Sequence, residues 1–225
     1  MNPRFRLSTT AVAGLTVVLL LAGCGGGGGD DGAKAADKAS SAPTTTGASA
    51  SASSSPSGSA SASSDGRPKI TLPSDVTLTF EGGKTGDAVK DAVLADSAEM
   101  TRAVDAAIAG TDPKGEAMGY YTTGKALEAS VSWVAQFKKA DVTITGVVRY
   151  YDRKVTLESK TAAVLTYCGD ESKGFSKDKK TDKVNRTPVT KDSYVTYNTR
   201  LDKNSDGVWQ TSQIISTRGA AQCQP

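Results

Sequence analysis

The sequence contains no histidine in 225 residues. That removes the side chain most used as a general acid or base and the commonest metal ligand, leaving proton chemistry to Asp, Glu or Tyr. Charge imbalance is also missing. Formal net charge is +3, and without Arg4 and Arg6 the chain carries 25 basic residues against 24 acidic. Such a balance gives no electrostatic footprint for phosphate backbones, so no nucleic-acid partner is expected. From Gly25 to Gly66 there is no large apolar side chain, only Gly, Ala, Ser, Thr, Pro and a few charges. A stretch of that kind has nothing to bury against its ordering entropy and is expected to be a disordered linker. Cysteine is scarce, with three residues: Cys24, Cys168 and Cys223.

What is present begins at the N-terminus. Arg4 and Arg6 form a positive start, Ala11–Leu21 is apolar but short for a membrane span, and Ala22 and Gly23 are small. Phe5 separates the two arginines, so the segment is no twin-arginine signal. The run Leu21-Ala22-Gly23-Cys24 resembles the lipobox of bacterial lipoproteins. The resemblance implies diacylglyceryl transfer to the Cys24 thiol and cleavage before it, making residues 1–23 a lipoprotein signal peptide. Two acyl chains at about 0.8 kcal/mol per buried methylene give a stable anchor where one chain is marginal. Residues 24–66 then read as the lipidated cysteine and a linker with an r.m.s. span of roughly 35 Å. The expected location is the extracellular face of the cell membrane, with the membrane itself as a partner through the lipid anchor. In that oxidising setting Cys168 and Cys223 are expected to form a disulfide, the alternative being two free thiols.

Residues 67–225 read as one globular α+β domain. Ile70, Leu72, Val76, Leu78 and Phe80 form an extended lead-in. Asp87 caps a helix that Gly110 stops, and Asp112-Pro113 opens a second helical stretch interrupted near Gly124. There Leu127, Val131, Val134 and Phe137 form an apolar stripe. From Val142 the period becomes two: Val142–Tyr151 and Lys154–Cys168 are predicted strands joined at Asp152-Arg153, and Val189–Leu201 and Val208–Thr217 another pair. The expectation is N-terminal helices packed on a four-stranded antiparallel sheet, cone-like, after a disordered stalk. The excursion Gly169–Thr187, with its basic run Lys173–Arg186, reads as a mobile solvated loop, or as a contact for anionic headgroups or wall polymers.

This order, with the strings Leu165-Thr166-Tyr167-Cys168 and Asp206-Gly207-Val208-Trp209, resembles the nuclear-transport-factor-like, polyketide-cyclase-like cone domains of actinobacterial surface lipoproteins. The resemblance implies a cavity between helices and sheet. Trp133, Phe137, Tyr120, Tyr150, Tyr167, Tyr197 and Trp209 either line that cavity or fill it, filling being the commoner use. Two motifs fall short of a binding site. Gly83-Lys84-Thr85 lacks the glycine a phosphate-binding loop needs at position 78, which is Leu78. Asp202, Asn204, Asp206 and Gly207 match half a calcium loop but also a hairpin turn, and Gln213 stands where a bidentate Glu is required. No catalytic residue, metal site or cofactor is assigned. The expected function is a lipid-anchored binding or interaction module for a wall component, small ligand or exported protein. The alternatives are an enzyme using Asp, Glu or Tyr in the cavity, and a purely structural domain.

Overall fold

The computed structural model describes residues 66–225; the expected signal peptide, Cys24 and the expected linker before Gly66 lie outside the described residues. An extended entry buries Ile70 and Leu72. The chain then forms β1 (Val76–Phe80), α1 (Ala88–Ala109), α2 (Glu116–Tyr121), α3 (Gly124–Lys139), β2 (Val142–Leu157), β3 (Ala162–Asp178), β4 (Val184–Asn185), β5 (Tyr194–Lys203) and β6 (Trp209–Arg218).

The strands make one mixed six-stranded sheet ordered β1-β2-β3-β5-β6, with β4 added to β3. This corrects the expected four-stranded antiparallel sheet. The lead-in pairs in parallel with β2, Val76 opposite Gly146 and Phe80 opposite Tyr150, while the other pairings are antiparallel. Joining the sheet satisfies the lead-in's backbone groups while Val76 and Leu78 are buried.

Helix α1 follows its sequence signals. The Asp87 carboxylate accepts from the Val89 and Lys90 amides, and Gly110 ends the helix at φ 86°. Pro113 lies before α2 instead of in its first turn, and the Asp112 carboxylate accepts from the Glu116 and Ala117 amides. The expected α3 stripe is rotated. Ala126, Ser130, Val134 and Phe137 are its buried side, while Val131 is 50% exposed. Small residues hold the inward positions there, which an apolarity count overlooks.

The turn predicted at Asp152-Arg153 is instead a bulge within β2. Asp152 takes φ 50° and the register shifts between Tyr151 and Lys154, yet pairing with β3 continues on both sides. An Asp tolerates the left-handed region, so the strand bends without ending. The true connection lies at residues 158–161, where the Glu158 amide donates to the Ala162 carbonyl at 2.9 Å. The expected mobile excursion is also corrected. Residues 169–178 continue β3, because the first half of β2 needs a ladder partner, and the chain returns as β4. Its lysines are partly neutralised within the protein: Lys177 pairs with Asp75 at 2.6 Å and Lys180 with Asp141 at 3.0 Å.

The helices pack against the sheet, α1 against β2, β3 and β6, and α3 against β6 and β2. Trp209, Tyr121, Phe137, Leu94, Leu165 and Leu201 are fully buried between them. Buried Asp96 accepts from the Trp209 amide at 2.8 Å and pairs with Arg67, fixing the entry of the chain to the core. Cys168, placed within β3 and not at a strand end, is bridged to Cys223 with a Cα–Cα distance of 5.4 Å. The Tyr151 hydroxyl donates to the Cys223 carbonyl, tying down the same tail.

Candidate functional site

A cavity of about 280 Å³ opens between α1, α3 and the sheet. Its helical wall comes from local periodicity. Thr101, Val104 and Asp105 share one side of α1, and Ala129, Ser130 and Trp133 share one side of α3. The small buried side chain of Ser130 leaves space that a larger residue would fill, and Ala129 lies at the exposed rim.

The opposite wall is a row of tyrosines on adjacent strands. Tyr167 of β3 stands opposite Tyr197 of β5, with rings stacked at 4.8 Å between centroids. Tyr150 of β2 stands opposite Gly169 of β3 and meets both rings edge-on, at 6.0 and 6.4 Å. Gly169 makes this row possible. A Cβ there would lie 3.1 Å from the Tyr197 ring and 3.5 Å from that of Tyr150. Phe80 stacks on Tyr150 at 4.9 Å and extends the row to β1.

The polar groups fall into two kinds. Buried Glu171 accepts from the Tyr197 hydroxyl at 2.9 Å and from the Arg218 guanidinium at 2.6 Å. Arg218 also donates to the Asp192 carbonyl at 2.9 Å. Asp105 is different: among the described residues no hydrogen-bond donor meets its carboxylate. Burial, with the negative charge of Glu171 adding to it, pushes the Asp105 carboxyl up to about 7. Burial pushes the hydroxyls of Tyr150, Tyr167 and Tyr197 up as well. At neutral pH the tyrosines are therefore neutral, while Asp105 exchanges a proton in the range where a general acid or base works best.

The domain is similar in fold to several solved structures. The intermembrane-space region of the chloroplast protein ARC6 matches with a TM-score of 0.41 at 12% identity, covering 60% of this chain and 99% of that one. A ketosteroid isomerase-like protein from Erwinia carotovora atroseptica matches at 0.38 and 15% identity, covering 60% and 98%. A protein from Catenulispora acidiphila matches at 0.36 and 14%, covering 55% and 91%. Likenesses of this depth assign no residue a role. No protein-family model matches the sequence, and no curated protein matches it.

Of the residues singled out in the sequence, Cys24 lies outside the described residues, and Cys168 and Cys223 come together. The calcium-like string forms a turn. The Asn204 side-chain oxygen accepts from the amides of Asp206 at 3.0 Å and Val208 at 2.9 Å, with Gly207 at φ 81°. The Asp202 carboxylate is taken by Arg200 and Ser212. The aromatic set divides: Trp133, Tyr150, Tyr167 and Tyr197 line the cavity, whereas Phe137 and Trp209 fill the core. Asp105, Glu171 and Arg218 were not foreseen. The one local signal was an acid at Asp105 four residues after Thr101, on the inward side of an otherwise alanine-rich helix.

Proposed function

We propose that the chain is an exported lipoprotein, acylated at Cys24 and held at the outer face of the cell membrane, whose α+β domain binds a small ligand between sheet and helices. The lipobox-like run supports the anchor, and the kinship with actinobacterial surface lipoproteins belongs to the same reading. The observation that carries the binding role is the cavity, whose walls combine aromatic and aliphatic side chains with convergent polar groups, among them Asp105, Glu171 and Arg218. Its volume of about 280 Å³ lies at the small end of ligand sites, which suits a compact molecule.

Trp133 in the wall supplies a direct test, because the second tryptophan, Trp209, is fully buried. A ligand entering the cavity will change Trp133 fluorescence, and Ser130→Phe, which puts a ring at a buried position of the wall, will abolish both the response and binding. Binding that survives the plug would place the site elsewhere. For the anchor, Cys24→Ser should move the protein from the membrane fraction to the soluble fraction. Retention equal to the parent protein would refute acylation there.

A second reading, an acid–base enzyme, is favoured by one observation, the Asp105 carboxyl poised near pH 7 in the wall. It requires a turnover that titrates near that pH and disappears in Asp105→Asn.

A further inference from the structure

We infer that the ligand of this cavity is a small organic cation, its ammonium group seated against the Asp105 carboxylate among the aromatic rings. The inference rests on the cavity being a binding site and adds the chemical class that it takes.

Two carboxylates and one guanidinium face the cavity: Asp105, Glu171 and Arg218. Glu171 and Arg218 are joined at 2.6 Å, so their charges offset each other and Arg218 is not a ready anchor for an anion. Asp105 remains. No hydrogen bond from the described residues supports it, and a carboxylate in such a place is costly unless something else neutralises it. Either a proton or a cationic ligand can do so.

The surroundings favour a cation. Trp133 and three tyrosines supply ring quadrupoles, and an ammonium within about 6 Å of a ring centroid gains ~0.5–2 kcal/mol according to its exposure. Buried, neutral tyrosine hydroxyls bring no competing charge. An anionic ligand would meet Asp105 and Glu171 directly. A neutral ligand would leave Asp105 to hold its proton and would make no use of its charge.

Proton linkage gives a signature. A cation needs the ionised carboxylate, and below about pH 7 Asp105 must lose its proton for binding to occur. The groups facing Asp105 from the sheet are Tyr150, Tyr167, Glu171, Tyr197 and Arg218, and none of these tyrosines ionises in that range.

The test uses the purified full chain in detergent and a panel of probes on identical skeletons: butyl, cyclohexylmethyl and benzyl groups, each as primary ammonium, alcohol and carboxylate. Titration calorimetry at pH 8 should show the ammonium binding at least tenfold tighter than its alcohol, and the carboxylate weakest. Ammonium affinity should fall between pH 7 and 5, approaching tenfold per unit, with proton release in the buffer-dependence of the heat. Asp105→Asn should remove the preference for ammonium and leave alcohol binding in place. Alcohols or carboxylates binding as tightly as ammonium would overturn the cation while leaving a binding cavity standing. So would an ammonium preference unchanged in Asp105→Asn or flat across pH 5 to 7. Failure of all three probe classes to bind would overturn the cavity reading as well.

Discussion

Replacing Asp105 by Asn should stabilise the protein, and by an amount that depends on pH. The folded-state carboxyl lies at about 7, against an ordinary value of 3.8. Between those limits the folded chain holds a proton that the unfolded chain has released. Stability therefore falls as pH rises through the window, and above pH 7 the whole penalty is present. The difference between those two values, at about 1.36 kcal/mol per pH unit, sets a ceiling of roughly 4 kcal/mol. Asp105 faces a cavity that admits water, so screening reduces this, and about 2–4 kcal/mol is expected at pH 8. Asn keeps the shape and carries no charge. Urea unfolding of parent and variant should give similar midpoints near pH 4.5, with the variant ahead by pH 8 at unchanged slope. The comparison is unusually clean because a chain without histidine has few side chains that titrate between pH 5 and 7. Parallel pH profiles, or a variant weaker than the parent at pH 8, would refute the reasoning. Held at such a cost, the acid is the kind of group that function retains against stability.

Other expectations concern the frame around the cavity. Gly146 adopts φ 99°, and a Cβ there would sit 2.2 Å from the Lys173 carbonyl oxygen, so Gly146→Ala should cost about 3 kcal/mol or more in denaturant unfolding. An unchanged midpoint would mean that the backbone there relaxes freely. Reducing Cys168–Cys223 opens a loop with a sequence separation of 55 and should lower stability by up to about 4 kcal/mol, visible as a drop in Tm. Non-reducing peptide mapping that finds two free thiols would remove that expectation. Asp96→Ala strands the Trp209 amide and the Arg67 guanidinium's buried contact, for an expected loss of about 3 kcal/mol by chemical denaturation. Gly169→Val should displace the Tyr150 and Tyr197 rings and weaken ligand binding more than it lowers Tm.

The helical half of the fold was largely legible, because its determinants are local. Asp87 and Gly110 bound α1 by capping and by a left-handed φ, and both act within one turn of chain. The sheet was less legible because its determinants are distant. Nothing within Val76–Phe80 announces a parallel partner some 70 residues later, at Gly146 to Tyr150. The dipeptide Asp152-Arg153 has turn chemistry, yet continued pairing to Thr166 and Cys168 makes it a bulge. The lysines of residues 173–178 look like a loop until Asp75 is seen to neutralise Lys177. The site itself was legible only in part. Four of its aromatics could be named, but not which would be left uncovered. That depended on Ser130 being small, and on Gly169 making room for rings on two neighbouring strands.

The bridge at the C-terminus divides the site into unequal halves. Everything from Cys168 to Cys223 is a covalent ring, and Glu171, Val195, Tyr197, Ile214, Ser216 and Arg218 all belong to it. The strands that carry those side chains can fluctuate only as parts of a closed circuit. Helices α1 and α3, with Asp105 and Trp133, stand outside that circuit and rest on non-covalent packing alone. Breathing that admits or releases an occupant should therefore occur on the helical side, with amide exchange faster in α3 than in β5.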